Sequence, residues 1–120
     1  MLKYEMRVTE IGPLVSEFIA CNILVFFKEG VPPELAEFSI LHEAGPLQAD
    51  IVPDDQVIVG DQTYRVTAVG EVANKNIRNL GHMILKCNGR SEPELPGDLC
   101  VEDKSLPHIE VGTIIRVVGP

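Results

Sequence analysis

The sequence contains no tryptophan, and aromatic residues make up only 5% of its 120 residues. Proteins that bind single-stranded nucleic acids or sugars by stacking need aromatic side chains, so this scarcity argues against such a role. Positive charge is also scarce, since 10 lysines and arginines face 18 acids and the formal net charge is −8. Because such a surface repels phosphate backbones and anionic lipid, we expect no nucleic-acid partner.

Cysteine pairs and long apolar runs are missing as well. Cys21, Cys87 and Cys100 are widely spaced and form no CxxC motif, which argues against a zinc knuckle or a thioredoxin-type site. The longest apolar run, ILVFF at residues 23–27, is too short to cross a bilayer. The N-terminal stretch MLKYEMRVTE lacks the apolar segment of a signal peptide. We therefore expect a cytoplasmic protein that is not embedded in the membrane.

Common catalytic signatures are absent too. The sequence has no GxGxxG, GxxxxGK[ST], GxSxG or HExxH motif, so the usual nucleotide-binding and hydrolase sites are not indicated. The three histidines lie far apart, without the spacing of four residues that begins many metal sites. We expect neither a metal nor a cofactor.

Alternation of apolar and polar residues is the main pattern that the chain does contain. It begins at the N-terminus, where one face of a strand carries Leu2, Tyr4, Met6 and Val8. A hairpin is predicted in the middle of the chain, at residues 57–69, around turn residues 60–62. In all, the patterns predict about eight short strands separated by glycine and proline turns.

Helical spacing is confined to short segments. It occurs at residues 13–22 and again at 71–81, where Gly81 suits a helix C-terminus, and a helical turn is predicted after Pro33. We expect an all-β fold, a closed or nearly closed antiparallel barrel of short strands with two or three short helical segments. The length fits a single domain, residues 1–120.

His42 ends a short apolar run in the stretch FSILHEAGPL. On a strand it shares a face with Phe38 and Ile40, which favours an interior histidine whose hydrogen bonds are satisfied. Its position just before Gly45 and Pro46 instead favours a rim, where one ring nitrogen is exposed and the other is held by a hydrogen bond. The residues alone leave both interpretations open.

The other two histidines carry weaker signals. His82 follows Gly81 at the start of a predicted strand, where it would either contact the last carbonyls of the preceding helix or serve a site. His108 lies in a polar stretch and is expected to be exposed.

Three segments of the chain carry a family resemblance, which extends over about residues 4–118. They are ILVFFKEGVPPELAEFSILHEAGPL, VIVGDQTYRVTAVGEVANKNIRNLGHMILKC and ELPGDLCVE, of which YRVTAVG…NLGH is the most distinctive. With these segments the chain resembles the glucitol/sorbitol-specific IIA component of the bacterial phosphoenolpyruvate-dependent sugar phosphotransferase system.

The resemblance implies a phosphoryl relay. In that family a histidine accepts a phosphoryl group from the phosphorylated histidine phosphocarrier protein. The group then passes to the IIB unit of a hexitol transporter, which contains IIB and IIC units. The phosphorylated histidine of the family falls on His42, and His82 matches a family position that we expect to be supporting. Candidates for stabilising the phosphoryl charge are backbone N–H groups near Gly45, the hydroxyl of Thr67, and the side chains of Lys86 and Arg65.

Two rival functions remain beside the relay. A non-enzymatic small-ligand-binding barrel would need an apolar cavity and would leave His42 dispensable. A regulatory module would have kept the fold and lost the transfer. Pairing of exposed edge strands would give a homodimer, and the sequence leaves the oligomeric state open.

Overall fold

Strands dominate the computed structural model, which describes residues 1–106 and 108–120. Three short helices lie between them: α1 (Val15–Ile19), α2 (Pro33–Ala36) and α3 (Ala73–Leu80). The described residues contain eight strands: β1 (Leu2–Ile11), β2 (Ile23–Lys28), β3 (Ile40–Ala44), β4 (Gln56–Val59), β5 (Gln62–Val69), β6 (Met83–Lys86), β7 (Asp98–Val101) and β8 (Ile114–Val118).

The eight strands form a closed barrel in the order β1-β3-β2-β6-β7-β5-β4-β8. The predicted barrel is therefore confirmed, although two of its eight strand pairs are parallel and not antiparallel as predicted. β2 runs parallel to β3, and β6 runs parallel to β7. Parallel neighbours need a crossover connection, and residues 29–39 and 87–97 supply one for each pair. The first crossover contains α2 and leads directly into the strand that carries His42.

Buried apolar side chains fill the interior of the barrel. The alternation predicted for β1 is confirmed for Tyr4, Met6 and Val8, which are buried in the core, but Leu2 at the start of the strand is exposed. Lys3 breaks the pattern, because it lies on the opposite face and is also buried. Its Nζ lies 2.6 Å from Oδ2 of the buried Asp55, so a charged partner from another segment compensates for the loss of water around it.

A second, smaller cluster covers the outer face of β2 and β3. Val25, Phe27 and Leu41 are buried there beneath residues of the first crossover, among them Leu35 and Phe38. The two strands are thus covered on both faces at these positions.

Left-handed glycines define two of the turns. Gly60 (φ +60°) begins the two-residue turn between β4 and β5, which is one residue shorter than predicted because Gln62 already pairs with Val59. Gly81 (φ +59°) ends α3 as predicted, and its N–H donates to the carbonyl of Ile77. Among the residues described, none of the helices combines the length and apolarity that a bilayer crossing requires.

Candidate functional site around His42

The side chain of His42 lies inside one end of the barrel. β3 is flanked by β1 and β2, with Val8 and Lys28 as the register partners of His42. Residues that alternate along a strand share a face, and His42 shares the inner face with Ile40. His42 has 0% relative exposure, so the exposed ring nitrogen of the rim interpretation is wrong. The ring is covered because the turn after α3 lies directly against it.

The two ring nitrogens of His42 differ in their surroundings. Nε2 lies 2.8 Å from the carbonyl oxygen of Gly81. A carbonyl only accepts, so Nε2 carries the proton and donates it. Nδ1 is buried and has no hydrogen-bond partner among the described residues. The ring is therefore held by one nitrogen, while the lone pair of the other stays uncommitted.

Burial keeps the imidazole of His42 neutral near pH 7. Desolvation is the main cause that lowers its pKa from 6.5, and the hydrogen bond to the Gly81 carbonyl opposes this effect. The Lys28 ammonium lowers the pKa further, whereas the backbone of Glu43 and the Glu29 carboxylate raise it. A neutral imidazole with a free lone pair is a competent nucleophile.

Gly81 is the residue that closes over the ring. A Cβ at this position would lie 2.9 Å from Cε1 and 3.1 Å from Nε2 of His42, and closer still to Cγ of Lys28. The side chains of His42 and Lys28 therefore contact the same glycine. A residue without Cβ is required here both for this close approach and for the positive φ.

His82 lies on the other side of Gly81, at the predicted place between α3 and β6. Its Nδ1 lies 3.1 Å from the carbonyl oxygen of Phe26 and donates to it, and its ring stacks on Phe27 with a centroid distance of 4.0 Å. The interpretation that this side chain caps the helix is wrong, because the ring binds β2 instead of the last helical carbonyls. Since Phe26 also contacts His42, both histidines contact the same residue of β2.

A cleft of about 220 Å³ begins at His42. Lys28, Glu29, Glu43 and Ala44 line the rest of it. The sequence interpretation missed Lys28, although the alternation of Leu24, Phe26 and Lys28 indicates a shared face. The sequence pattern does not show which face of β2 points into the barrel; only the folded structure does.

A family model described as the glucitol/sorbitol-specific IIA component of the phosphotransferase system (PTS) matches residues 3–116. The chain belongs to this family. The PTS glucitol/sorbitol-specific EIIA component of Shigella flexneri is 34% identical over 113 residues, which cover 94% of this chain and 92% of the relative. The component of the same name from Escherichia coli K12 gives the same identity and coverage.

A solved structure shares the fold of this IIA component. The PTS IIA component from Enterococcus faecalis V583 matches with a TM-score of 0.80 and 24% identity, covering 92% of this chain and 96% of that one. The family membership makes the chain a phosphoryl carrier, a phosphotransferase component that works with other proteins of a sugar phosphotransferase system.

Three side chains proposed to stabilise the phosphoryl charge lie away from His42 in this IIA component. Lys86 is bound to Asp98 at 2.9 Å and pairs in register with Ile23, at the far end of β2 from Lys28. Arg65 and Thr67 belong to β5, which is not a neighbour of β3 in the barrel. None of these three candidates therefore lies beside His42, because the barrel separates segments whose order along the chain gave no indication of distance.

Other polar groups of the IIA component form no comparable site. His108 is exposed as predicted and lies 3.3 Å from the Glu110 carboxylate. In the part of the chain that the structure describes, no group of three or more His, Cys, Asp or Glu side chains could hold a metal ion. Core side chains occupy the barrel interior, where the rival ligand-binding function would need a cavity.

Proposed function

We propose that His42 carries the phosphoryl group, and that Nδ1 is the atom that bonds to phosphorus. The observation that supports this most is the asymmetry of the ring, with Nε2 bound to Gly81 and Nδ1 without a partner. A buried polar atom is ordinarily hydrogen-bonded, so an unpaired one beside a cleft favours a functional role. The lowered pKa of His42 leaves the lone pair available at neutral pH.

The transfer step balances without any further reactant. The Nδ1 lone pair attacks phosphorus as the N–P bond of the donor histidine breaks, and that electron pair returns to the donor nitrogen. Throughout, the proton stays bonded to Nε2, which donates it in a hydrogen bond to the Gly81 carbonyl. Transfer to the next protein reverses these roles. The apolar surround, which includes Phe26 and Ile40, hinders water from hydrolysing the phosphorylated ring.

The donor in this proposal is the phosphorylated histidine phosphocarrier protein, and the acceptor is the IIB unit of a glucitol/sorbitol transporter. The whole chain, residues 1–120, then acts as one cytoplasmic IIA domain. Its net charge of −8 favours partners with a basic docking face. Because Nδ1 is buried, the side chains that line the cleft must move aside when a partner docks. A homodimer is compatible with this scheme and is not required by it.

His82 acts in the proposal as a positioning residue. Its bond to Phe26 and its stacking on Phe27 hold the turn that contains Gly81. That turn supplies the carbonyl that orients His42. His82 therefore influences transfer through the ring of His42 and not by accepting phosphate.

Phosphorylation in vitro tests the site. The protein is incubated with phosphoenolpyruvate and the general phosphotransferase components, and acid-labile phosphate is measured. We expect labelling of the wild type, none in His42→Ala or His42→Gln, and a reduced rate in His82→Gln. His108→Gln is the matched control and should label normally, because that side chain is exposed.

Two results would contradict the proposal. Normal labelling of both folded His42 variants would show that another residue carries the phosphate. If phosphorus NMR places the phosphoryl group on Nε2, His42 is still the phosphorylated residue, but the assignment of Nδ1 as the bonding atom is refuted.

A further inference from the structure

Lys28 is distinguished from most basic residues of the protein by having no acidic partner. Within the described part of the chain, seven of the ten lysines and arginines form ion pairs with Asp or Glu. The other three are Lys28, Lys75 and Arg90. Of these, Lys28 is the one that lines the cleft at His42.

The backbone directs the Lys28 side chain toward His42. The two residues are register partners in the parallel pair of β2 and β3, and side chains of paired residues lie on the same face. Cγ of Lys28 contacts Gly81, the glycine whose carbonyl holds Nε2 of His42. The lysine stem therefore lies beside the ring, and the half-buried Lys28 lines the cleft at His42.

We propose that the Lys28 ammonium binds the phosphoryl oxygens on His42 and stabilises the transferring group. This inference rests on the proposed phosphorylation of His42. It assigns to Lys28 the charge-stabilising role for which Lys86 and Arg65 are too distant. A free ammonium donates up to three hydrogen bonds and needs no fixed geometry, which suits a phosphoryl group that moves between two nitrogens.

The charges around the cleft explain why such a cation is needed. A phosphoryl group adds roughly −1.5 to −2 charges near pH 7. Glu29 and Glu43 both line the same cleft and repel that charge. Glu43 is ion-paired with Arg7, so Arg7 is already committed to a carboxylate. Among the residues described, Lys28 is the cation lining this cleft that forms no ion pair with a carboxylate.

Lys28→Gln tests the proposal, because glutamine keeps the Cβ and Cγ atoms that contact Gly81. We expect labelling to slow by about tenfold or more, the effect of losing a hydrogen bond from a charged donor. Lys28→Arg should restore most of the rate. Arg90→Gln removes the same charge from a loop beyond the far end of β6 and should leave the rate unchanged.

Two phosphoryl donors separate phosphoryl binding from docking. Labelling is measured with the phosphocarrier protein and with phosphoramidate, a small donor that needs no protein interface. A loss of rate with both donors supports the proposal. A loss with the phosphocarrier alone would make Lys28 a docking residue and would overturn it, and so would unchanged rates with both donors.

NMR titration of the His42 ring supplies a readout that a structural role would not change. Removal of the Lys28 charge should raise the pKa of His42, since Lys28 lowers it while Glu29 raises it. An unchanged pKa in Lys28→Gln would count against the proximity of the ammonium. Normal labelling of His42→Gln would refute the proposed function itself. Normal labelling of Lys28→Gln, with none in His42→Gln, would refute only the role of Lys28.

Discussion

Replacing Gly81 by alanine adds one methyl group at the point where the turn after α3 covers His42. The new Cβ would lie 2.9 Å from Cε1 and 3.1 Å from Nε2 of that ring, and closer to Cγ of Lys28. Contacts this short force the neighbouring side chains or the turn to shift. The substitution therefore tests whether the carbonyl of Gly81 and the imidazole are as close as the structure has them.

The cost of Gly81→Ala has two parts that can be separated. An alanine in the left-handed region costs about 1–2 kcal/mol, and crowding in a packed site adds about 1–3 kcal/mol. Gly60→Ala is a matched control, because Gly60 has φ +60° and no atom lies within 4 Å of its added Cβ. Gly60→Ala should therefore lower the free energy of unfolding only by the cost of the left-handed conformation. Gly81→Ala should lower it by about 2–5 kcal/mol in all.

Urea unfolding measures both variants against the wild type. With an m-value of about 2 kcal/mol/M, the midpoint should fall by about 1–2.5 M for Gly81→Ala and by about 0.5–1 M for Gly60→Ala. A total stability of about 5–15 kcal/mol leaves most of this range compatible with a folded protein. Equal losses at the two glycines would refute the claim that Gly81 is crowded by His42 and Lys28.

Two further predictions concern buried charge. The folded pKa of His42 is lowered from 6.5, so below about pH 6.5 the unfolded chain binds more protons and stability falls as the pH drops toward the folded value. In His42→Gln the urea midpoint should change less with pH over this range than in the wild type. An equal pH dependence in both proteins would contradict the lowered pKa of His42. Lys3→Met should cost about 3–5 kcal/mol by leaving the Asp55 carboxylate buried without its partner. Arg116→Met breaks an exposed pair with Glu5 and should cost about 1 kcal/mol or less, so similar losses would count against the buried pair.

Much of the fold follows from local sequence patterns. The alternation in β1, the hairpin around Gly60 and the glycine that ends α3 were all predictable, because each depends on neighbouring residues. The parallel pairs were not, since they depend on where a crossover returns to the barrel. Lys3 was misjudged for a similar reason: its burial depends on Asp55, a partner that lies 52 positions away.

The candidate site was predictable in part. Periodicity indicated that His42 shares a face with apolar residues, and the family resemblance drew attention to it and to His82. The cover over the ring was not predictable, because Gly81 lies 39 residues further along the chain. The identity of the nearby cation was also hidden, since Lys28 reaches the cleft only through its parallel pairing with His42.

The position of β8 has a consequence for synthesis on the ribosome. This strand pairs with β1 on one side and with β4 on the other. Until residues 114–118 have left the exit tunnel, the nascent chain therefore presents two unpaired strand edges, which are templates for association with other chains. Translation that stalls before Ile114 should leave an aggregation-prone product, and a chaperone that shields open edges would act at this stage.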